Sequence, residues 1–198
     1  AVDAVQGSGT IELTSSIALS DQVTIDSGKT IILDMNGETL SIGFSDSSKN
    51  LIVNNGTLTI TGDGTFDATE ATSYKGFINN YGTLTVENGT FQIADKAMTV
   101  HLRNQDGGKA VINGGTFSGG ATIVRSFEGS NTTITGGSFT NSVYPAVDVN
   151  GETLITGGIF TNTSCSRCDS QNWGYTVRSG VDNDPDAKLT ITPSSEGS

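Results

Sequence analysis

The feature that most constrains this chain is a repeated segment in which a short strand breaks at glycine and resumes with a small residue and Phe. Five copies stand in register, from Leu58 to Phe66, Leu84 to Phe91, Ala110 to Phe117, Thr132 to Phe139 and Thr153 to Phe160. Their closing residues, Phe66, Phe91, Phe117, Phe139 and Phe160, recur at steps of 25, 26, 22 and 21 residues. Spacing of this size belongs to stacked solenoid coils, in which one repeat cannot bury its apolar face alone.

Within each copy polar and apolar residues alternate, as strands do, and the glycine or Asn-Gly break turns the chain before the aromatic points inward again. A further β-rich run lies between copies, as in Ala97-Met98-Thr99-Val100, Ala121-Thr122-Ile123-Val124, Pro145-Ala146-Val147 and Tyr175-Thr176-Val177. This run supplies the remaining wall of a coil. Stacking at about 4.8 Å satisfies every backbone group and lines up the five Phe residues as an internal ladder. Differences in coil length are expected in the segments between repeats. No stretch carries a sustained 3.6-residue apolar stripe, so helix should be nearly absent. The expected fold is an all-β, single-stranded right-handed parallel β-helix of about 21–26 residues per coil.

The expected organisation is one domain over 1–192, with irregular N-terminal coils and a cap over 1–50, regular Gly-Thr-Phe coils over 51–160, and a loop insertion with the last coil over 161–192. Residues 193–198, Pro-Ser-Ser-Glu-Gly-Ser, read as a linker-like tail. A net charge of -11 and the lack of a basic stripe exclude nucleic acid as the expected partner. No apolar run is long enough for a membrane-spanning helix, so no membrane insertion is expected.

The run Thr30-Ile31-Ile32-Leu33-Asp34-Met35-Asn36-Gly37-Glu38-Thr39-Leu40, together with the Gly-Thr-Leu-Thr-Ile and Gly-Gly-Thr-Phe motifs, resembles the pectate-lyase-like right-handed β-helices of large surface proteins in Gram-positive gut bacteria. The resemblance spans most of residues 10 to 192. It implies an extracellular, surface-displayed setting, and it specifies fold far better than activity, since that scaffold carries lyases, hydrolases and adhesins alike.

Aligning the inter-repeat strands on their valines places Asn79, His101, Arg125, Asp148 and Arg178 at one outward position per coil, flanked by Asn80 and Arg103. Parallel strands would hold these side chains in rigid register, either as a ligand-contacting row or as a solvent-facing ladder in which Asp148 pairs with Arg125 or Arg178. No catalytic set is evident. Asp148 lacks a second acid in register, Asp67 and Asp95 are the alternative pair, and the lone histidine excludes a multi-histidine metal site. No metal or cofactor is therefore expected.

Cys165-Ser166-Arg167-Cys168 is a CxxC whose spacing suits a redox pair, half a zinc site or a local disulfide; with no second CxxC, a disulfide pinning the 161–173 insertion is favoured. Trp173 and Tyr175 end that insertion, with two roles open: sealing the last coil, or stacking on a sugar or partner. The outward threonines Thr59, Thr85 and Thr133, with Thr61, Thr135 and Thr156, are interrupted by Glu87, Val111, Asn113 and Leu154 and are ascribed to strand preference rather than ice binding. The functional expectation is a non-enzymatic, adhesin-like module, a monomeric domain of a larger protein that binds a host glycan or glycoprotein. A carbohydrate lyase or glycoside hydrolase using the outward row is the first alternative, and a passive stalk the second.

Overall fold

The computed structural model describes residues 1–44, 46, 48–70, 76–94, 99–141, 144–162, 177–179 and 188–191. They wind into a right-handed parallel β-solenoid whose three walls are parallel sheets. Sheet one has eight strands: Ser8–Glu12, Thr30–Asp34, Thr57–Thr61, Thr83–Val86, Lys109–Ile112, Asn131–Ile134, Glu152–Ile155 and Lys188–Ile191. Sheet two has seven: Ile17–Leu19, Thr39–Ile42, Thr65–Ala68, Thr90–Ile93, Thr116–Ser118, Ser138–Asn141 and Ile159–Asn162. Sheet three also has seven: Val23–Ile25, Ile52–Asn54, Ile78–Asn80, Val100–Asn104, Thr122–Ser126, Val147–Val149 and Val177–Ser179. The helical element among the described residues is one 3-10 turn, Val2–Ala4, which lies against the first strand of sheet three at the N-terminal end.

Each coil visits sheets one, two and three in turn, so every sheet neighbour comes from the next coil. Register is tight: Phe66 pairs Phe91, Phe91 pairs Phe117, Phe117 pairs Phe139, and Phe139 pairs Phe160. The expected aromatic ladder results. Successive ring centroids lie 4.7, 4.5, 5.0 and 4.7 Å apart, with planes within 8° of parallel. The strand spacing therefore dictates face-to-face stacking, although isolated rings prefer offset or edge-on contact.

In the four coils from Thr83 on, the corner between sheets one and two keeps its shape because its last residue is a glycine with positive φ: Gly89, Gly115, Gly137 or Gly158. Gly137 has φ +102°, and a Cβ there would stand 3.1 Å from the Phe139 ring and 3.1 Å from the Gly115 carbonyl. No other residue combines that backbone with that clearance. Length variation falls elsewhere, as expected. From sheet three to sheet one the chain passes through Asn55-Gly56, Tyr81-Gly82 and Asn150-Gly151 in three coils. In the two coils between them it passes through Gln105-Asp106-Gly107-Gly108 and Phe127-Glu128-Gly129-Ser130.

On the outer face of sheet one, Ile32, Thr59, Thr85, Val111, Thr133 and Leu154 form one column, as expected of β-branched and apolar residues on a pleated surface. Inside, Leu58, Ile60, Leu84, Val86, Ala110, Ile112 and Ile134 of the same strands join the core.

Candidate functional site

Sheet three departs from strict alternation, and that departure decides which side chains face out. Where the chain enters this sheet, two consecutive residues are buried in five successive coils: Leu51-Ile52, Phe77-Ile78, His101-Leu102, Ile123-Val124 and Ala146-Val147. A kink in the ladder accompanies this, with the Ile123 and Val124 amides both donating to the Ala146 carbonyl at 3.0 and 2.9 Å.

His101 therefore does not stand in the outward row, contrary to the valine alignment. Leu102 pairs Val124 and Ile78, so Arg103, not His101, is the register partner of both Arg125 and Asn79. The His101 ring is 1% exposed and packs beside Phe77 and Phe117, with centroids 5.5 and 5.9 Å away. Nε2–H donates to the Gly119 carbonyl at 3.2 Å, and Nδ1 has no hydrogen-bond partner among the described residues. Burial pushes its pKa down to about 4, which the Gly119 bond only partly opposes. It belongs to the core.

The outward row runs Val53, Asn79, Arg103, Arg125 and Asp148, with Arg178 next in backbone register. Arg103, Arg125, Asp148 and Arg178 are thus brought to one register position on four successive strands. Asp148 is buried and pairs with Arg125, its Oδ2 lying 3.2 Å from Nε. The stem of Arg103 lies over Gly76, where a Cβ would meet its Cγ at 3.5 Å. Burial, and then the neighbouring Arg125 charge, hold the Arg103 guanidinium below the usual arginine range. At the other end Gln105 Nε2 donates to Asn79 Oδ1 at 2.6 Å, and Asn79 Nδ2 donates to the hydroxyl of exposed Tyr81 at 3.2 Å.

Beside this row lies a groove of about 700 Å³ that motif reading missed. It forms where the four-residue corners 105–108 and 127–130 are followed by the corner Asn150-Gly151, which is two residues shorter. Gln105, Asp106, Phe127, Glu128, Asn131 and Glu152 are among its lining residues. Asp106 seats its carboxylate against Gly129, whose φ of +74° and missing side chain make the contact possible. Asn131 Nδ2 donates to Glu152 Oε2 at 3.2 Å. Phe127 joins groove to row, because the Arg125 guanidinium carbon lies over its ring, 5.3 Å from the centroid. The paired lengthening of 105–108 and 127–130 was the available signal, visible once the strands are registered.

Asn80 also turns inward rather than flanking the row. Its Nδ2 donates to Asn104 Oδ1 at 2.8 Å, and its Oδ1 accepts from Asn54 Nδ2 at 2.7 Å, making a buried amide ladder under the same corners. Asp67 sits in register with Ser41 and Gln92 and caps Thr69, accepting from its amide at 2.9 Å. Asp95, Cys165, Cys168, Trp173 and Tyr175 lie outside the described residues, as does the side chain of Arg178. Among the described residues no group of three or more His, Cys, Asp or Glu side chains is placed to hold a metal ion.

The fold and row together define a parallel β-helix presenting a polar face and a corner groove. Comparison with family models, curated proteins and solved structures finds no match to this chain.

Proposed function

We propose that this chain is a non-enzymatic binding module, displayed outside the cell, that holds a host glycan or glycoprotein across the outer face of sheet three and the adjoining groove. The observation that carries this reading is Arg125, ion-paired to Asp148 and laid over Phe127 at the groove. An aromatic ring beside amides and carboxylates suits a sugar, whose C–H faces pack on the ring while its hydroxyls bond the polar rim. The β-helix and its Gly-Thr-Phe coils fit the resemblance to pectate-lyase-like domains of Gram-positive surface proteins, and that resemblance supports a cell-surface setting.

Two of the three groove carboxylates already have structural work, Asp106 against Gly129 and Glu152 with Asn131, which favours binding over turnover. Glycoside hydrolysis is the second reading, because it needs two carboxylates flanking a bond and the groove offers Asp106, Glu128 and Glu152. A glycan array on the purified chain, run beside a reducing-end assay on the glycans retained, separates them. We expect retention without new reducing ends, and a loss of at least tenfold in affinity for Phe127→Ala. Turnover that Glu128→Gln abolishes would establish the hydrolase instead, and neither retention nor turnover would leave a passive spacer.

A further inference from the structure

We infer that the groove selects an uncharged glycan and rejects sugars that carry carboxylate or sulfate groups, an inference that rests on the binding reading above. The groove's charged lining residues are Asp106, Glu128 and Glu152, all acidic, and among the described residues no Lys or Arg lines it. Ionised carboxylates only accept hydrogen bonds, so they match the hydroxyl donors of a neutral sugar and repel another anion. Glu152 and Asn131 already meet at 3.2 Å, so one wall offers a fixed acceptor rather than a mobile charge.

The cations around the groove leave its described lining acidic. Arg125 is held by Asp148 at 3.2 Å, Arg103 lies one register position away over Gly76, and Lys109 and Lys188 stand on sheet one in backbone register with Asn131 and Glu152, outside the described lining. The chain as a whole carries -11, so its long-range field also opposes an anion's approach. Selection here is exclusion by charge, with Phe127 and the amides supplying the affinity.

The test is calorimetric titration of the full chain with neutral hexose and N-acetylhexosamine oligosaccharides, and with the same oligosaccharides bearing terminal sialic acid or sulfate. We expect the acidic forms to bind at least tenfold more weakly at low salt. Raising ionic strength should shrink that ratio, as screening of exposed charges requires. The double variant Glu128→Gln, Glu152→Gln should shrink it too, with circular dichroism confirming an unchanged fold. Acidic glycans binding as well as the neutral ones would overturn the inference and leave the module's glycan binding intact. Absence of binding by every glycan, neutral or acidic, would remove the proposed function and this selectivity together.

Discussion

The inner faces of sheets two and three solve the same problem with opposite chemistry. Under sheet two, one residue type repeats, and Phe66, Phe91, Phe117, Phe139 and Phe160 stack with planes within 8°. Under sheet three the corner position holds Phe77, His101, Ile123 and Ala146 in turn, and the position at the strand end holds Asn54, Asn80 and Asn104 before passing to Ser126. Both faces are buried, yet one is uniform and apolar whereas the other mixes a ring, an imidazole and a hydrogen-bonded amide column. A coil tolerates this because each residue need only satisfy the coil above and the coil below.

The largest expected effect breaks the uniform side. Phe117→Ala removes a ring that stacks on Phe91 and Phe139 and also meets His101, so it should cost about 3–5 kcal/mol, read as a drop in the urea midpoint. Retention of the midpoint would mean that the column is not the principal support of the stack.

The next prediction sharpens the contrast through proton linkage at His101. Its ordinary pKa of 6.5 falls to about 4 in the folded chain. Above pH 6.5 both states are neutral there. As pH falls from 6.5 towards 4 the unfolded chain takes up a proton that the native core refuses, so stability declines across that window. His101→Leu should abolish on the order of 3 kcal/mol of the loss between pH 7 and pH 4, at about 1.4 kcal/mol per pKa unit. The check is a comparison of urea midpoints for parent and variant at both pH values, and an equal decline in the two would remove His101 as the cause.

The smallest of the three addresses the amide column. Asn80→Ala strips a donor from Asn104 Oδ1 and an acceptor from Asn54 Nδ2, and buried groups left unmet cost about 1–3 kcal/mol. Hydrogen exchange should show the loss concentrated at the Asn80-Tyr81-Gly82 corner and its two neighbours, while amides of sheet two stay protected. A uniform loss across both sheets would instead show that the two inner faces act as one cooperative unit.

The same contrast explains which parts of the molecule were legible beforehand. The Phe column announced itself because identical residues recur beside a glycine that the turn demands. The valine alignment puts one wrong member in sheet three's outward row, since it sets Val100 against Val124, whose partner is Leu102. That slip is two residues, and a two-residue slip leaves alternation unchanged, so periodicity had no means of detecting it. The consecutive buried pairs, such as Phe77-Ile78 and Ile123-Val124, were the usable warning that His101-Leu102 also turns inward.

By itself the sequence determined the class of fold, the glycine turns, the Phe core and the outward threonines, because each follows from spacing and local backbone chemistry. Only the tertiary structure decided that Arg103 joins Arg125 and Asp148, that His101 is buried, and that the 105–108 and 127–130 corners leave a groove beside 150–151. Those outcomes depend on how one coil is registered on the next. Register is a property of pairs of coils, and a pattern within a single coil does not contain it.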